Sequence, residues 1–402
     1  MSFFSCNQDL SASHVNYYEK VDAIPNKVYE DLKCKNNLYF HPSYLIALET
    51  HNSQIKFAYI VLSNELGNYI GFFVIQVIDF YSDSFQDDTQ TIFEYLKCIA
   101  RNLRILPQGK PLKVLTCGNT FVTGEHGVFI RSDQDKKNIV KQFSKAIAGL
   151  VNSKKELNEE IDVYMIKDFT KESTFITDEL KSDGFYDFKV APNMVMKINK
   201  EWNDFEDYLL AMKTKFRVKA KKALLKSERL HIADIQLKDL DSIIPQMTEL
   251  YKKVSNKASF NLGAFNLITY KTLKENLGEY YILKGYWLGT KLVGFMSGVI
   301  NQKDILDAHF VGIDYDLNRE LAIYQRMLYD YVDIAIQRKV KQINFGRTAS
   351  EIKSSVGATP EEMTIYLKHR KHLPNKILSL FLKKIKPTGF NQKYPFKSVP
   401  VK

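Results

Sequence analysis

The order of apolar runs between residues 280 and 345 constrains the fold of this chain more than any other feature. Tyr280–Tyr286 and Leu292–Ile300 are strand-length runs joined through Leu288-Gly289-Thr290, which predicts a hairpin. A third run, Ile305–Gly312, follows the polar turn Asn301–Asp304. A helical period then takes over across Glu320–Arg338, with Leu321, Tyr324, Leu328, Tyr331, Val332 and Ala335 on one face. Gln342–Phe345 returns as a short strand and Thr364–Lys368 as another. Antiparallel strands, a helix and a returning strand imply a mixed α/β half with helices on its sheet.

The same order appears earlier in the chain. Ile55–Leu62 and Tyr69–Phe80 flank turn residues Asn64 and Gly67-Asn68. Leu112–Thr116 is a further strand, Lys136–Val151 has helical spacing, and Ile161–Ile166 is a strand again. Lys189–Ile198 follows as a strand that Pro192 is expected to interrupt. No residue-level repeat is visible, so a tandem of two α/β halves rests on element order. The 402 residues suit two domains.

Between the halves, Asn203–Arg229 reads as one helix, with Asn203 as N-cap and Glu206 placed for a capping box. A second helix spans Leu240–Val254. The expected divisions are residues 1–200, a basic connecting helix and strand at 201–235, a second half at 236–370, and a tail at 371–402.

Charge is concentrated in two places. The net charge is +11, and no Asp or Glu occurs from Met363 to Lys402. A second basic run holds Lys213, Lys215, Arg217, Lys219, Lys221, Lys222, Lys226 and Arg229, opposed only by Glu228. Either run is a solvated face or a site for nucleic acid, anionic lipid or a nucleotide. In the tail, Asn375–Lys386 places Ile377, Leu378, Phe381, Leu382 and Ile385 on one stripe beside lysines. Such a helix docks on its own core or lies on an anionic membrane.

Several classes drop out. The longest apolar runs, such as Tyr69–Ile78, are far short of the ~20 residues of a membrane-spanning helix. The first residues lack a charged and apolar leader, so no signal peptide is read and a cytoplasmic protein is expected. Cys6, Cys34, Cys98 and Cys117 form no CxxC pair, and we expect reduced thiols and no metal. GxSxG, Walker, GxGxxG and HExxH patterns are missing from the sequence.

The densest polar constellation lies in the second half. Alternation along Ile305–Gly312 puts Asp307, His309 and Val311 on one face, so His309 beside Asp307 reads as an oriented base or a structural hydrogen bond. Asn318 and Arg319 precede the helix expected at Glu320 and read as an anion site or a plain N-cap. After the strand ending at Gly346, Arg347, Glu351 and Lys353 are site candidates or a surface ion cluster. In the first half, Gly118-Asn119 through Gly124-Glu125-His126-Gly127 forms a shaped loop after a strand.

The run Asn344-Phe345-Gly346-Arg347-Thr348, with Glu351, Lys353 and Gly357-Ala358, resembles the C-terminal half of FemAB-like proteins of the GNAT superfamily. Trp202–Leu230, with Asp207-Tyr208-Leu209 and Lys215-Phe216-Arg217, is similar to the helix that enters that half. Asn37–Leu45 and Gly118-Asn119 resemble the N-terminal half of a peptidoglycan-biosynthesis branch. The resemblance implies two fused GNAT-like halves and an acyltransferase moving an acyl or aminoacyl group onto an amine, in lipid or cell-envelope metabolism. It implies acyl-CoA or aminoacyl-tRNA as donor, a small-molecule or lipid amine as acceptor, and the transfer site in the second half. There Asp307, His309 and Glu351 would be catalytic. Asn344, Arg347, Lys353 and Tyr324 would bind substrate, and Asn318 and Arg319 the donor's phosphates. The glycine-rich diphosphate loop of acetyl-CoA enzymes is missing at Asp316–Ala322. The other class kept open is a non-catalytic protein that uses this scaffold to hold RNA or anionic membrane.

Overall fold

The computed structural model describes residues 13–80, 111–257, 263–383, 385, 387 and 389–397. In chain order the strands are β1 (Ser13–Tyr18), β2 (Lys56–Asn64), β3 (Tyr69–Phe80), β4 (Leu112–Cys117), β5 (Val128–Ile130), β6 (Ile161–Thr170) and β7 (Tyr186–Lys197). They continue with β8 (His231–Asp234), β9 (Tyr281–Leu288), β10 (Lys291–Asn301), β11 (Ile305–Ile313), β12 (Gln342–Asn344) and β13 (Thr359–His369). The chain divides into two compact units. The first is Met1–Val190 with Ser259–Asn266 and Glu362–Pro387; the second is Ala191–Ala258 with Leu267–Glu361 and Thr388–Lys402.

The sheet of the first unit runs β1-β2-β3-β4-β6-β13, with β5 also on β3. Every pairing is antiparallel except β4 with β6. Apolar side chains fill both faces of β2 and β3, which is why these strands read as unbroken hydrophobic runs. Their turn is fixed by Asn64, whose Oδ1 accepts from the Leu66 and Asn68 amides. The helix Lys136–Ser153 starts at Asp135, which caps the Lys137 and Asn138 amides. It covers the sheet with Phe143 stacked on Phe73 at 4.0 Å.

The second unit is ordered β7-β12-β11-β10-β9-β8, and here only β11 with β12 is parallel. Helix Ile323–Gln337 covers one face, where Ile323 and Met327 sit against Gly294 and Tyr331 against Gly298. Helices Leu240–Ser255 and Thr269–Leu277 cover the other, through Tyr251 on Phe310 and Tyr270 on Phe295.

Local structure departs from the sequence reading in four places. β7 runs through Pro192, because its ladder with β12 uses only Val195–Lys197 and the missing N–H costs no bond there. The helix expected over Asn203–Arg229 is two helices, Phe205–Ala211 and Thr214–Lys226, capped by Asp204 rather than Asn203. The break holds an isolated bridge from Met212 to Phe396. The helix expected at Glu320–Arg338 is also two, Tyr315–Leu321 and Ile323–Gln337, separated by Ala322 at φ 50°. The tail helix spans His372–Leu382, and Lys384, Lys386 and the Phe381 side chain lie outside the description. No described helix is long and apolar enough to cross a membrane.

Candidate functional site

In the second unit β11 and β12 begin as partners and then separate. They pair at Ile305–Gln342, Leu306–Ile343 and Asp307–Asn344, and there the ladder stops. β11 continues to Ile313 without β12, paired only with β10 among the described residues. The chain after Asn344 instead follows β7: the Phe345 amide donates to Met194 O at 2.8 Å, and the Met194 amide to Gly346 O at 3.1 Å. The two parallel strands therefore part just beyond Asp307.

β11 is bulged at the same level. Val311 faces Met296 and Ala308 faces Gly298, so His309 and Phe310 together oppose Ser297. Ser297 holds the bulge: its hydroxyl donates to Phe310 O at 2.8 Å, and its own carbonyl accepts from the Tyr331 hydroxyl at 2.6 Å. The Tyr270 hydroxyl bonds the Ser297 hydroxyl at 3.0 Å. Glycine is required at 298, because a Cβ there would stand 2.9 Å from Asp307 O. The bulge also corrects the expected facing. Leu306 and Ala308 belong to the same core cluster as Val311 and Ile313, so the alternation flips between 308 and 311 and Val311 leaves the face assigned to Asp307.

Asp307 and Asn344 meet at the fork, with His309 two residues further along β11. Asn344 Nδ2 donates to the buried Asp307 carboxylate at 2.6 Å, and Gln342 Nε2 donates to Asn344 Oδ1 at 2.8 Å. This fixes the Asn344 amide orientation and hands Asp307 a donor where the strands part. Burial pulls His309 down to about 4, so its imidazole is neutral at pH 7 and can accept a proton.

Lys353 has a different job from the one its charge suggests. Its buried ammonium donates to Phe345 O at 2.7 Å, Gly346 O at 3.2 Å and Arg347 O at 2.6 Å. An ammonium has three protons, and all are committed to the loop that leaves β12. Burial pulls Lys353 down to about 7. The loop needs the brace: Gly346 (72°), Thr348 (65°) and Ala349 (49°) have positive φ, and a β-branched residue rarely adopts it. Arg347 is part-buried in this loop, and desolvation lowers its guanidinium to about 10, so it keeps its charge at neutral pH. Glu351, expected among the catalytic residues, is exposed and pairs with Lys393 at 2.8 Å.

The expected phosphate site is occupied by helix capping. Asp314 caps Tyr315–Leu321, and Asn318 Oδ1 accepts from the Tyr324 amide at 2.9 Å, capping the second helix from inside the first. Tyr324 has its hydroxyl raised by desolvation, and Arg319 is exposed with its carbonyl accepting from Lys226 at 3.0 Å. A groove of about 570 Å³ lies elsewhere in the unit, along Leu224, Leu230 and Arg326, and lacks every fork residue.

In the equivalent parallel pair of the first unit, β6 likewise runs on from Lys167 to Thr170 after β4 has ended. β4 stays on β6 from Lys113–Ile161 to Cys117–Ile166, the last residue of β4. The Gly118–Gly127 loop is tied down from within. Lys167 donates to Asn119 O at 2.6 Å and Val122 O at 3.0 Å and pairs with buried Asp168 at 2.6 Å. Glu125 accepts from the Thr170 amide and hydroxyl, and His126 stacks on Tyr39 at 3.6 Å.

Sequence reasoning singled out Asp307, His309 and Asn344, of which the fold hydrogen-bonds Asn344 to Asp307. It missed Ser297 and Gln342. The flanking glycine in Met296-Ser297-Gly298 was the one hint to Ser297, and nothing marked Gln342.

No protein-family model matches the chain. No curated protein matches it either. Solved structures do. A tandem GNAT protein from the clavulanic acid biosynthesis pathway, solved without AcCoA, superposes with TM-score 0.50 and 8% identity over 89% of this chain and 99% of its own. L-PGS from Bacillus licheniformis gives TM-score 0.49 and 11% identity over 89% of this chain and 96% of its own. The C-terminal domain of a lysylphosphatidylglycerol synthetase from Agrobacterium fabrum, itself described as putative, gives 0.46 and 10% over 89% and 96%. The fold is mixed α/β, of the tandem GNAT kind.

Proposed function

We propose that the second unit is an N-acyltransferase that moves an acyl or aminoacyl group from an activated donor onto an amine. The observation that carries this reading is the parting of β11 from β12 just beyond Asp307 and Asn344. An opening between parallel strands gives a carbonyl group room to enter beside the polar groups of the fork, and hydrogen-bond donors aimed at its oxygen stabilise the charge that grows there. The amine lone pair attacks the donor's carbonyl carbon, the carbonyl oxygen takes the negative charge, and the bond to the leaving sulfur or oxygen breaks as the carbonyl re-forms. The nitrogen loses one proton to neutral His309, and the leaving group takes one up. Asp307, held by Asn344, orients the acceptor. Lys353 acts as a positioning residue through the 345–347 carbonyls.

An acyl thioester is the donor class this fold supports, acyl-CoA first. The Tyr324 amide is already taken by Asn318, so a CoA diphosphate would rely on the neighbouring amides and exposed Arg319. The FemAB-like branch, with its aminoacyl donor and envelope role, is the finer proposal, supported by Asn344-Phe345-Gly346-Arg347.

The test is a transfer assay against a panel of amines with acetyl-CoA, a long-chain acyl-CoA and charged tRNA. Activity should appear with one donor, and His309→Ala should lower kcat by about 100-fold or more. Full activity in that variant, or no binding of any donor, defeats the assignment.

A further inference from the structure

We propose that the exposed face of helix Thr214–Lys226 is a docking surface for an anionic lipid bilayer, with Val218 and Leu225 entering the headgroup boundary. The proposal is independent of the acyl-transfer reading.

The helix is oriented against the ordinary rule. Its buried side is small, carried by Ala220 and Ala223, while Val218 (59% exposed) and Leu225 (69%) face water. At about 100° per residue these two stand within about 20° of one another, at the crown of the exposed side. Lys215 and Lys222 flank the crown on one side and Arg217 and Lys221 on the other. Two more exposed apolar groups adjoin it, Leu210 (53%) and Tyr394 (68%). Lys213 Nζ ties Tyr394 O to the helix start at 3.1 Å, and Lys397 Nζ donates to Leu210 O at 2.8 Å.

The charge is largely unspent. Lys221 pairs with Glu206 at 3.5 Å and Arg229 with Glu320 at 3.0 Å. Lys215, Arg217, Lys219 and Lys222 have no ion pair among the described residues. Aliphatic groups crowning a cationic ridge match a surface that is anionic outside and apolar just beneath. A nucleic acid would meet the cations but leave Val218 and Leu225 against phosphates, and single-strand binders carry aromatic platforms instead.

The test is co-sedimentation of the full chain with phosphatidylcholine vesicles, with and without about one-third phosphatidylglycerol. Binding should require the anionic lipid and weaken with salt. Leu225→Ser should weaken it several-fold, and Lys215→Gln with Lys222→Gln by roughly 20-fold, at about fivefold per lysine. These positions are exposed, so circular dichroism should be unchanged. Equal binding to neutral vesicles, or none at low salt, overturns the proposal. So does loss only with Lys376→Gln and Lys383→Gln, which would place the contact on the tail helix. Tighter binding of a single-stranded RNA oligonucleotide, indifferent to Leu225→Ser, would assign the ridge to nucleic acid instead.

Discussion

The two parallel strand pairs, β4–β6 and β11–β12, occupy the same place in their own sheets and differ in the loops that follow them. In both, the shorter strand is paired to its last residue and the longer one runs on, β6 from Lys167 to Thr170 and β11 from Ala308 to Ile313. Each pair is followed by a loop braced by a buried lysine, and the braces differ in what they do with charge. Lys167 divides its protons between two carbonyls and the Asp168 carboxylate. Lys353 gives all of its protons to carbonyls, so its charge has no counter-ion among its described partners. At the second pair Lys353 lies behind the loop that borders the opening; pulled down to about 7, it is only partly protonated at neutral pH, and in its charged form it adds positive potential where a carbonyl oxygen would gain charge.

Removing each brace gives the largest expected effects. Lys167→Met strands a buried carboxylate and should destabilise the first unit by about 4 kcal/mol. Lys353→Met strands carbonyls but no opposite charge, and should cost about 3 kcal/mol. Hydrogen exchange resolved by peptide separates the two units and reads both numbers. Lys353→Met should also lower transfer activity, while Lys167→Met should leave it intact in protein that remains folded. Equal loss of activity in both variants would mean that the two pairs are not functionally distinct.

Much of this contrast was legible in the chain, for physical reasons that differ by element. β2, β3, β9 and β10 are apolar on both faces, so length and turn residues alone identify them. The bulge at His309–Phe310 was not legible, because it exists only in the register between β11 and β10. The helix break at Ala322 was hidden too. Leu321 and Ile323 keep an apolar rhythm across it, and the left-handed residue is alanine rather than the glycine that would have announced it. Lys353 read as an anion ligand because its type shows in a sequence, whereas the three backbone oxygens it serves do not.

Acid sharpens the comparison at the opening itself. His309 is held at about 4 against an ordinary 6.5, so between these values the unfolded chain binds a proton that the folded chain refuses. Stability from this group therefore rises as pH increases from 4 to 6.5 and is level above. His309→Gln removes that contribution. The gap between wild type and variant should shrink by about 3 kcal/mol from pH 7 to pH 4 in urea titrations. A constant gap would mean that the imidazole is as well solvated at the fork as in the unfolded chain.

The smallest effect concerns the entry to helix Ile323–Gln337, the element that packs beneath the opening. Ala322 pays for the sharp turn with a left-handed backbone, φ 50° and ψ 37°, which an L-residue adopts at a cost of roughly 1 kcal/mol. Glycine adopts it freely but loses more freedom on folding, and the 7%-exposed methyl would leave a small void. The balance should be a net gain of about 0.5 kcal/mol for Ala322→Gly, seen as a slightly higher melting temperature. If the turn merely ends one helix and starts another, the transfer rate will not change. If the helix start also contacts the donor, a looser turn should raise KM with kcat unchanged, because the amides at Ile323 and Gln325 would lose their fixed direction while the fork at Asp307 and Asn344 stays as it is.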